Sequence, residues 1–225
     1  MVWLLLVLIA PTARSQQSEE LSAQQVLDRM FSVYESCSSY IDRGKVKEVF
    51  LRLSGNQLVT KPFTTAFVRP SRFRFEYTEG GGSRTHNLVV WRDGSSIRSW
   101  WSINRETRHY ETLAEPLRNA TGVSSQSAAI VPTMLFRNLG DRRRLQNLTD
   151  LELVRVERTS GKAAYRIQGK DWMNQSLTLW IDKETFLLIR LYEKRKADGY
   201  DVETTIRYEP QINVDVPAKK LEFKH

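Results

Sequence analysis

Apolar residues recur at every second position through most of this chain, and the places where that period stops divide it into elements. In Ser176-Leu177-Thr178-Leu179-Trp180-Ile181-Asp182 and in Leu188-Ile189-Arg190-Leu191-Tyr192 the alternation reads as neighbouring strands of an antiparallel sheet with one packed face. Earlier, Val46, Val49, Leu51 and Leu53 make a first strand, with a slip near Glu48 that reads as a bulge. Ser54-Gly55-Asn56-Gln57 turns the chain, 63–69 returns, and Pro70-Ser71 breaks it. Phe73, Phe75 and Tyr77 then share a face opposite Arg72, Arg74 and Glu76. Gly80-Gly81-Gly82 reads as a hairpin tip, and Asp93-Gly94 joins strands at 88–91 and 97–101, with 105–110 following. Strands resume at 151 and continue through 163–166, 177–181, 187–194 and 202–208. The pattern predicts a meander of roughly nine to eleven strands, enough to curl with its own twist.

Two stretches change to a helical period. Residues 18–40 read as a helix, with Ser22 and Gln25 placed as a capping box and Val26, Leu27, Met30, Val33 and Tyr34 on one stripe. Between 113 and 140, Ala128, Ala129, Ile130, Val131, Met134, Leu135 and Leu139 recur at helical spacing, and Pro132 predicts a break into two short helices. The fold class is therefore mainly β (α+β): a single large curved antiparallel sheet, or incomplete β-barrel, with an N-terminal helix and a short helical lid. A lid this small leaves an apolar concavity that is open or easily opened.

The first residues stand apart from this pattern. Trp3-Leu4-Leu5-Leu6-Val7-Leu8-Ile9-Ala10 is too short to span a bilayer, and Ala13-Arg14-Ser15 offers a cleavage site before Gln16. Residues 1–15 are expected to be a signal peptide and 16–225 one domain. No Cys ends the apolar run, so no lipid anchor is expected, and the single Cys37 excludes an internal disulfide. The formal charge of +8 favours anionic partners in general. Nucleic acid is not expected for a secreted chain whose basic residues are scattered among acidic ones. The tight cluster Arg142-Arg143-Arg144 reads as a solvated loop.

Chemistry is sparse. His86, His109 and His225 lack partners at metal-ligand spacing, and no G-x-S-x-G elbow, P-loop or dinucleotide fingerprint is present. Neither an enzyme nor a metal site is expected. Asn119, Asn147 and Asn174 match the glycosylation pattern, which has no meaning in a bacterial envelope. Trp91, Trp100, Trp101, Trp172 and Trp180 either fill the core of the sheet or line an amphipathic cavity.

Arg69-Pro70-Ser71-Arg72-Phe73-Arg74-Phe75-Glu76-Tyr77, the later Asp93-Gly94, the helical insertion and Leu179-Trp180-Ile181-Asp182 resemble the periplasmic outer-membrane lipoprotein carrier (LolA-like) superfamily. The resemblance spans nearly the whole of 16–225. It implies an incomplete barrel with a helical lid over an apolar cavity that takes acyl chains of lipids or lipoproteins, without a cofactor. It also places Arg69 where the carriers have an arginine whose hydrogen bonds to the lid control opening. The expected lining is Phe73, Phe75, Tyr77, Trp91, Leu177 and Leu179, with Met134 and Leu135 from the lid; a slip of one residue would invert each strand's contribution. The function implied is that of a soluble periplasmic carrier, a monomer that envelope membrane proteins load or unload. The alternative is an envelope sensor or interaction module that binds a protein or lipoprotein in the same groove without transporting it. The long insertion and the many strand-end arginines depart from the family pattern.

Overall fold

The structure, a computed structural model, describes residues 21–81, 84–136, 139 and 144–224. The leader expected at 1–15, Gly82 and the Arg142-Arg143 pair lie outside those residues. The chain opens with α1 (Ala23–Ser36). Its capping box forms as the sequence predicts: Gln25 N–H donates to Ser22 Oγ at 3.2 Å and Ser22 N–H donates to Gln25 Oε1 at 2.8 Å. Val26, Leu27, Met30 and Tyr34 are its buried stripe.

Two meanders follow. The first contains β1 (Ser39–Arg52), β2 (Gly55–Val68), β3 (Arg72–Gly81), β4 (Arg84–Asp93), β5 (Ser96–Trp101) and β6 (Glu106–Tyr110). A crossing segment carries α2 (Ala114–Val123), α3 (Ser127–Leu135) and a 3-10 turn (Arg144–Asn147). The second meander contains β7 (Thr149–Thr159), β8 (Lys162–Lys170), β9 (Ser176–Asp182), β10 (Leu188–Ala197) and β11 (Tyr200–Tyr208), and β12 (Gln211–Ile212) returns to pair with the start of β1. All belong to one 12-stranded antiparallel sheet in the order β6-β5-β4-β3-β2-β1-β11-β10-β9-β8-β7. The seam between the meanders is β1 against β11, in register from Gly44↔Tyr208 to Leu51↔Asp201. The end strands β6 and β7 do not pair with each other, so the sheet stays open.

Side chains from one face of both meanders meet the helices in a single core. Phe67, Phe75 and Leu88 join Ile167, Leu179 and Leu191, under Val26 and Met30 of α1 and Ile130 and Leu135 of α3. Each such residue contributes about 1.5–3 kcal/mol relative to an exposed one. Gly44 is required by this packing, because a Cβ there would lie 1.9 Å from the Phe63 ring. That ring is itself held between Phe75 and Tyr208, at centroid distances of 6.0 and 5.6 Å.

Two local readings are corrected. There is no bulge at Glu48: pairing of β1 with β2 runs unbroken from Ser39↔Val68 to Arg52↔Gly55. The alternation slips because an inward position is occupied by a buried carboxylate. The helical insertion divides at 124–126 rather than at Pro132, which lies inside α3. Ser125 and Gln126 make that division in left-handed backbone, with φ of 50° and 73°. This conformation costs non-glycine residues on the order of 1 kcal/mol or more each.

Candidate functional site

Seven of the residues expected to line a cavity are drawn into one place. Phe73, Phe75, Tyr77, Met134, Leu135, Leu177 and Leu179 all belong to the core under the helices. They pack against protein rather than empty space. Phe136, just past α3, lays its ring edge-on to Phe67 and Phe73 at 5.0 and 5.4 Å. Helix α3 is buried at nearly every position, as a helix apolar on all sides must be. Within this apolar interior the hydroxyls of Tyr77 and Tyr208 are buried without a hydrogen-bond partner among the described residues. Burial pushes the Tyr77 phenol up to about 12, with Glu79 adding to the shift.

The open space lies next to this core. A cavity of about 570 Å³ sits between α2, the α2–α3 turn, the β8–β9 turn and the end of β10. Its apolar wall includes Leu117, Ala129, Leu139 and Met173, and Trp172 stands at its rim, 79% exposed. Its polar wall includes Glu48, Glu193, Arg195 and Lys196 from the strands, Arg118 from α2 and Asp171 from the β8–β9 turn. The volume falls within the roughly 300–1,000 Å³ range of small-molecule sites.

A polar latch closes the cavity against the sheet. Glu48 on β1 and Lys61 on β2 both point inward and are both buried, with Nζ 3.3 Å from Oε2. The Ser125 hydroxyl donates to Glu48 Oε2 at 2.6 Å. Lys61 Nζ donates to Ser125 Oγ at 2.9 Å and to the Val123 carbonyl at 3.0 Å. Arg195 stands 3.8 Å from Glu48, and Glu79 3.7 Å from Lys61. The sheet therefore supplies every charge of the latch, and the lid supplies a hydroxyl and a carbonyl.

Two expected site residues are placed elsewhere. Among the described residues, Arg69 bonds to the end of α1 and not to the α2–α3 lid. Its Nε donates to the Cys37 carbonyl at 2.8 Å and its Nη2 to the Tyr34 carbonyl at 3.3 Å. These carbonyls lie at the C-terminal end of α1, where a cation is favoured, and that of Tyr34 also accepts from the Cys37 thiol at 3.2 Å. Trp91 lies on the outer face. Its inward neighbours Leu88 and Val90 pair with Tyr77 and Phe75, whereas Trp91 pairs with Arg74. The indole N–H donates to the Leu221 carbonyl at 2.6 Å and the ring packs on Phe223, so the C-terminal segment buries it. Sequence reasoning missed Glu48, Lys61 and Ser125, although the slip at Glu48 marked the first of them. Among the described residues, no three His, Cys, Asp or Glu side chains gather as a metal site, and no helix is long and apolar enough to cross a membrane.

No protein-family model matches the chain, and no curated protein matches it. Solved structures similar to it include the Mycobacterium tuberculosis lipoprotein LppX, at 12% identity and a TM-score of 0.47 over 87% of this chain and 97% of that one. A LolA superfamily protein from Nitrosomonas europaea is 11% identical, with a TM-score of 0.38 over 90% of this chain and 98% of that one. The MucA/MucB complex of Pseudomonas aeruginosa is 15% identical, with a TM-score of 0.48 over 90% of this chain. The match spans 61% of that structure's chain. By its own geometry the present chain is an open, mostly β half-barrel with helices seated in the concavity.

Proposed function

We propose that this protein binds acyl chains of lipids or lipoproteins beneath the α2–α3 lid and carries them across the bacterial envelope. The observation that carries the reading is the composition of the latch. When the lid lifts, Glu48 keeps Lys61 and Arg195 as partners, so no buried charge is orphaned. What is lost is the three hydrogen bonds that reach Ser125 and Val123. Bonds to charged groups contribute about 1.5–3 kcal/mol each. An acyl chain gains about 0.8 kcal/mol per buried methylene, so about six to eleven methylenes offset the opening.

The same motion would uncover the buried apolar side chains of α3, and an acyl chain would cover them. The unpartnered Tyr77 and Tyr208 hydroxyls would then meet the polar end of a ligand, or water that accompanies it. The test is to purify the protein without detergent, extract it with organic solvent and analyse the extract by mass spectrometry. Stoichiometric phospholipid or acylated peptide is the expected result. An empty protein that also takes up no fluorescent fatty acid would leave the interaction-module reading in its place.

A further inference from the structure

The outer face of the sheet carries a line of cations. Strand registers place Arg155, Arg166, Trp180, Arg190, Arg207 and Lys45 directly opposite one another across β7, β8, β9, β10, β11 and β1. At about 4.8 Å per strand the row is about 24 Å long. Both arginines flanking the tryptophan rest on its ring, Arg190 at 4.2 Å and Arg166 at 5.6 Å from the centroid.

One end of the row has a counter-anion. Glu157 accepts from Arg155 Nε at 2.5 Å and from the Trp180 indole at 2.6 Å, and lies 3.9 Å from Arg166. At the other end, Arg190, Arg207 and Lys45 have no ion pair among the described residues. The Nε atoms of both Arg166 and Arg190 are buried without a hydrogen-bond partner among the described residues. Burial, and next the charge of Arg207, pull the pKa of Arg190 down. Positive charge has been concentrated where the chain itself supplies too little to neutralise it.

We propose that this row, on the face opposite the cavity, is a docking surface for an acidic peptide segment of a partner protein. Glu157 shows what fits: one carboxylate serves a guanidinium, an indole N–H and a second guanidinium at once. An Asp or Glu side chain from outside would do the same for Arg190 and Arg207 through the two-donor fork that suits carboxylates, with Lys45 adding a point charge beside them. A planar lipid surface meets only the crest of a convex sheet, whereas an extended chain follows it. The ring within the row, Trp180, is 5% exposed and covered by guanidinium groups, so it offers single-stranded nucleic acid no open face to stack on.

The probe is a fluorescein-labelled peptide of alternating Glu and Ser, long enough to span the row, titrated with the full chain by fluorescence anisotropy. Micromolar binding that weakens with salt is expected. It should weaken at least about fivefold in Arg207→Gln and in Lys45→Gln, both exposed, and further in Arg190→Gln. Glu157→Gln releases Arg155 and Arg166 and should tighten it. Thermal melts confirm that the variants fold, and the two exposed positions decide the matter if Arg190→Gln does not. No binding, or binding unchanged in Arg207→Gln and Lys45→Gln, would overturn the proposal. So would row-dependent binding that is tighter to phosphatidylglycerol vesicles or to oligothymidylate than to the peptide.

Discussion

Lys61 Nζ and Glu48 Oε2 stand 3.3 Å apart on adjacent strands, and the Ser125 hydroxyl bonds to both. Two charges that belong to the sheet thus grip one neutral group that belongs to the lid. Because the ion pair survives without the lid, its two halves have different roles. Ser125→Ala should lower stability by about 1–2 kcal/mol and speed the uptake of a fluorescent fatty acid. Glu48→Ala leaves Lys61 buried with only the more exposed Glu79 nearby and should cost about 3–5 kcal/mol. Chemical denaturation and stopped-flow uptake separate the two.

If lid opening is offset by buried methylenes, affinity should depend steeply on acyl length. Competition against a fluorescent fatty acid should show little displacement by chains of about eight carbons and strong displacement by chains of about sixteen. Equal displacement by both lengths would remove the latch from the binding step.

Arg69 offers a control. Its bonds end on α1, so Arg69→Met should loosen that helix's C-terminus and lower the thermal midpoint without changing the rate of fatty-acid uptake. Faster uptake in this variant would return Arg69 to lid control.

Asp42 is buried and accepts from the Tyr40 hydroxyl and the Thr65 amide, each at 2.8 Å. Burial outweighs those bonds and raises its pKa from 3.8 to about 7. The folded protein therefore holds a proton that the unfolded chain releases near pH 3.8. Its stabilising contribution is full below that pH and is lost as pH rises through about 7, by about 1.4 kcal/mol per unit of separation. The melting temperature should fall between about pH 4 and pH 7 and level off above, and Asp42→Asn should flatten that slope.

Gly44→Ala would place a methyl group in the Phe63 ring, which Phe75 and Tyr208 keep from moving aside. A loss of about 1–3 kcal/mol is expected by equilibrium unfolding.

The parts of this fold legible in the sequence are those where polarity marks both faces of an element. Phe73, Phe75 and Tyr77 alternate with Arg72, Arg74 and Glu76, so β3 and its inward face could be read directly. In β4, Leu88, Val89, Val90 and Trp91 are all buried, and no polar residue marks the parity. Trp91 faces outward and owes its burial to Leu221 and Phe223, which pattern alone does not bring near. The latch was hidden for a related reason. A carboxylate at an inward position is indistinguishable from a bulge until Lys61 is known to sit beside it. Arg69 stands at its expected place in the chain, but the start of β1, paired with the end of β2, brings the α1 carbonyls to it, and local spacing does not show that.

The central seam also sets an order of events. The earliest strand, β1, acquires its second neighbour only when β11 exists, so the first meander spends most of synthesis with one whole edge of β1 unpaired. Such an edge invites pairing with other chains. Fragments that stop short of β11 should aggregate rather than fold, and the intact chain should gain its native contacts slowly, dominated by partners distant in sequence. A protein wired this way closes its sheet only once the whole chain through β11 is present.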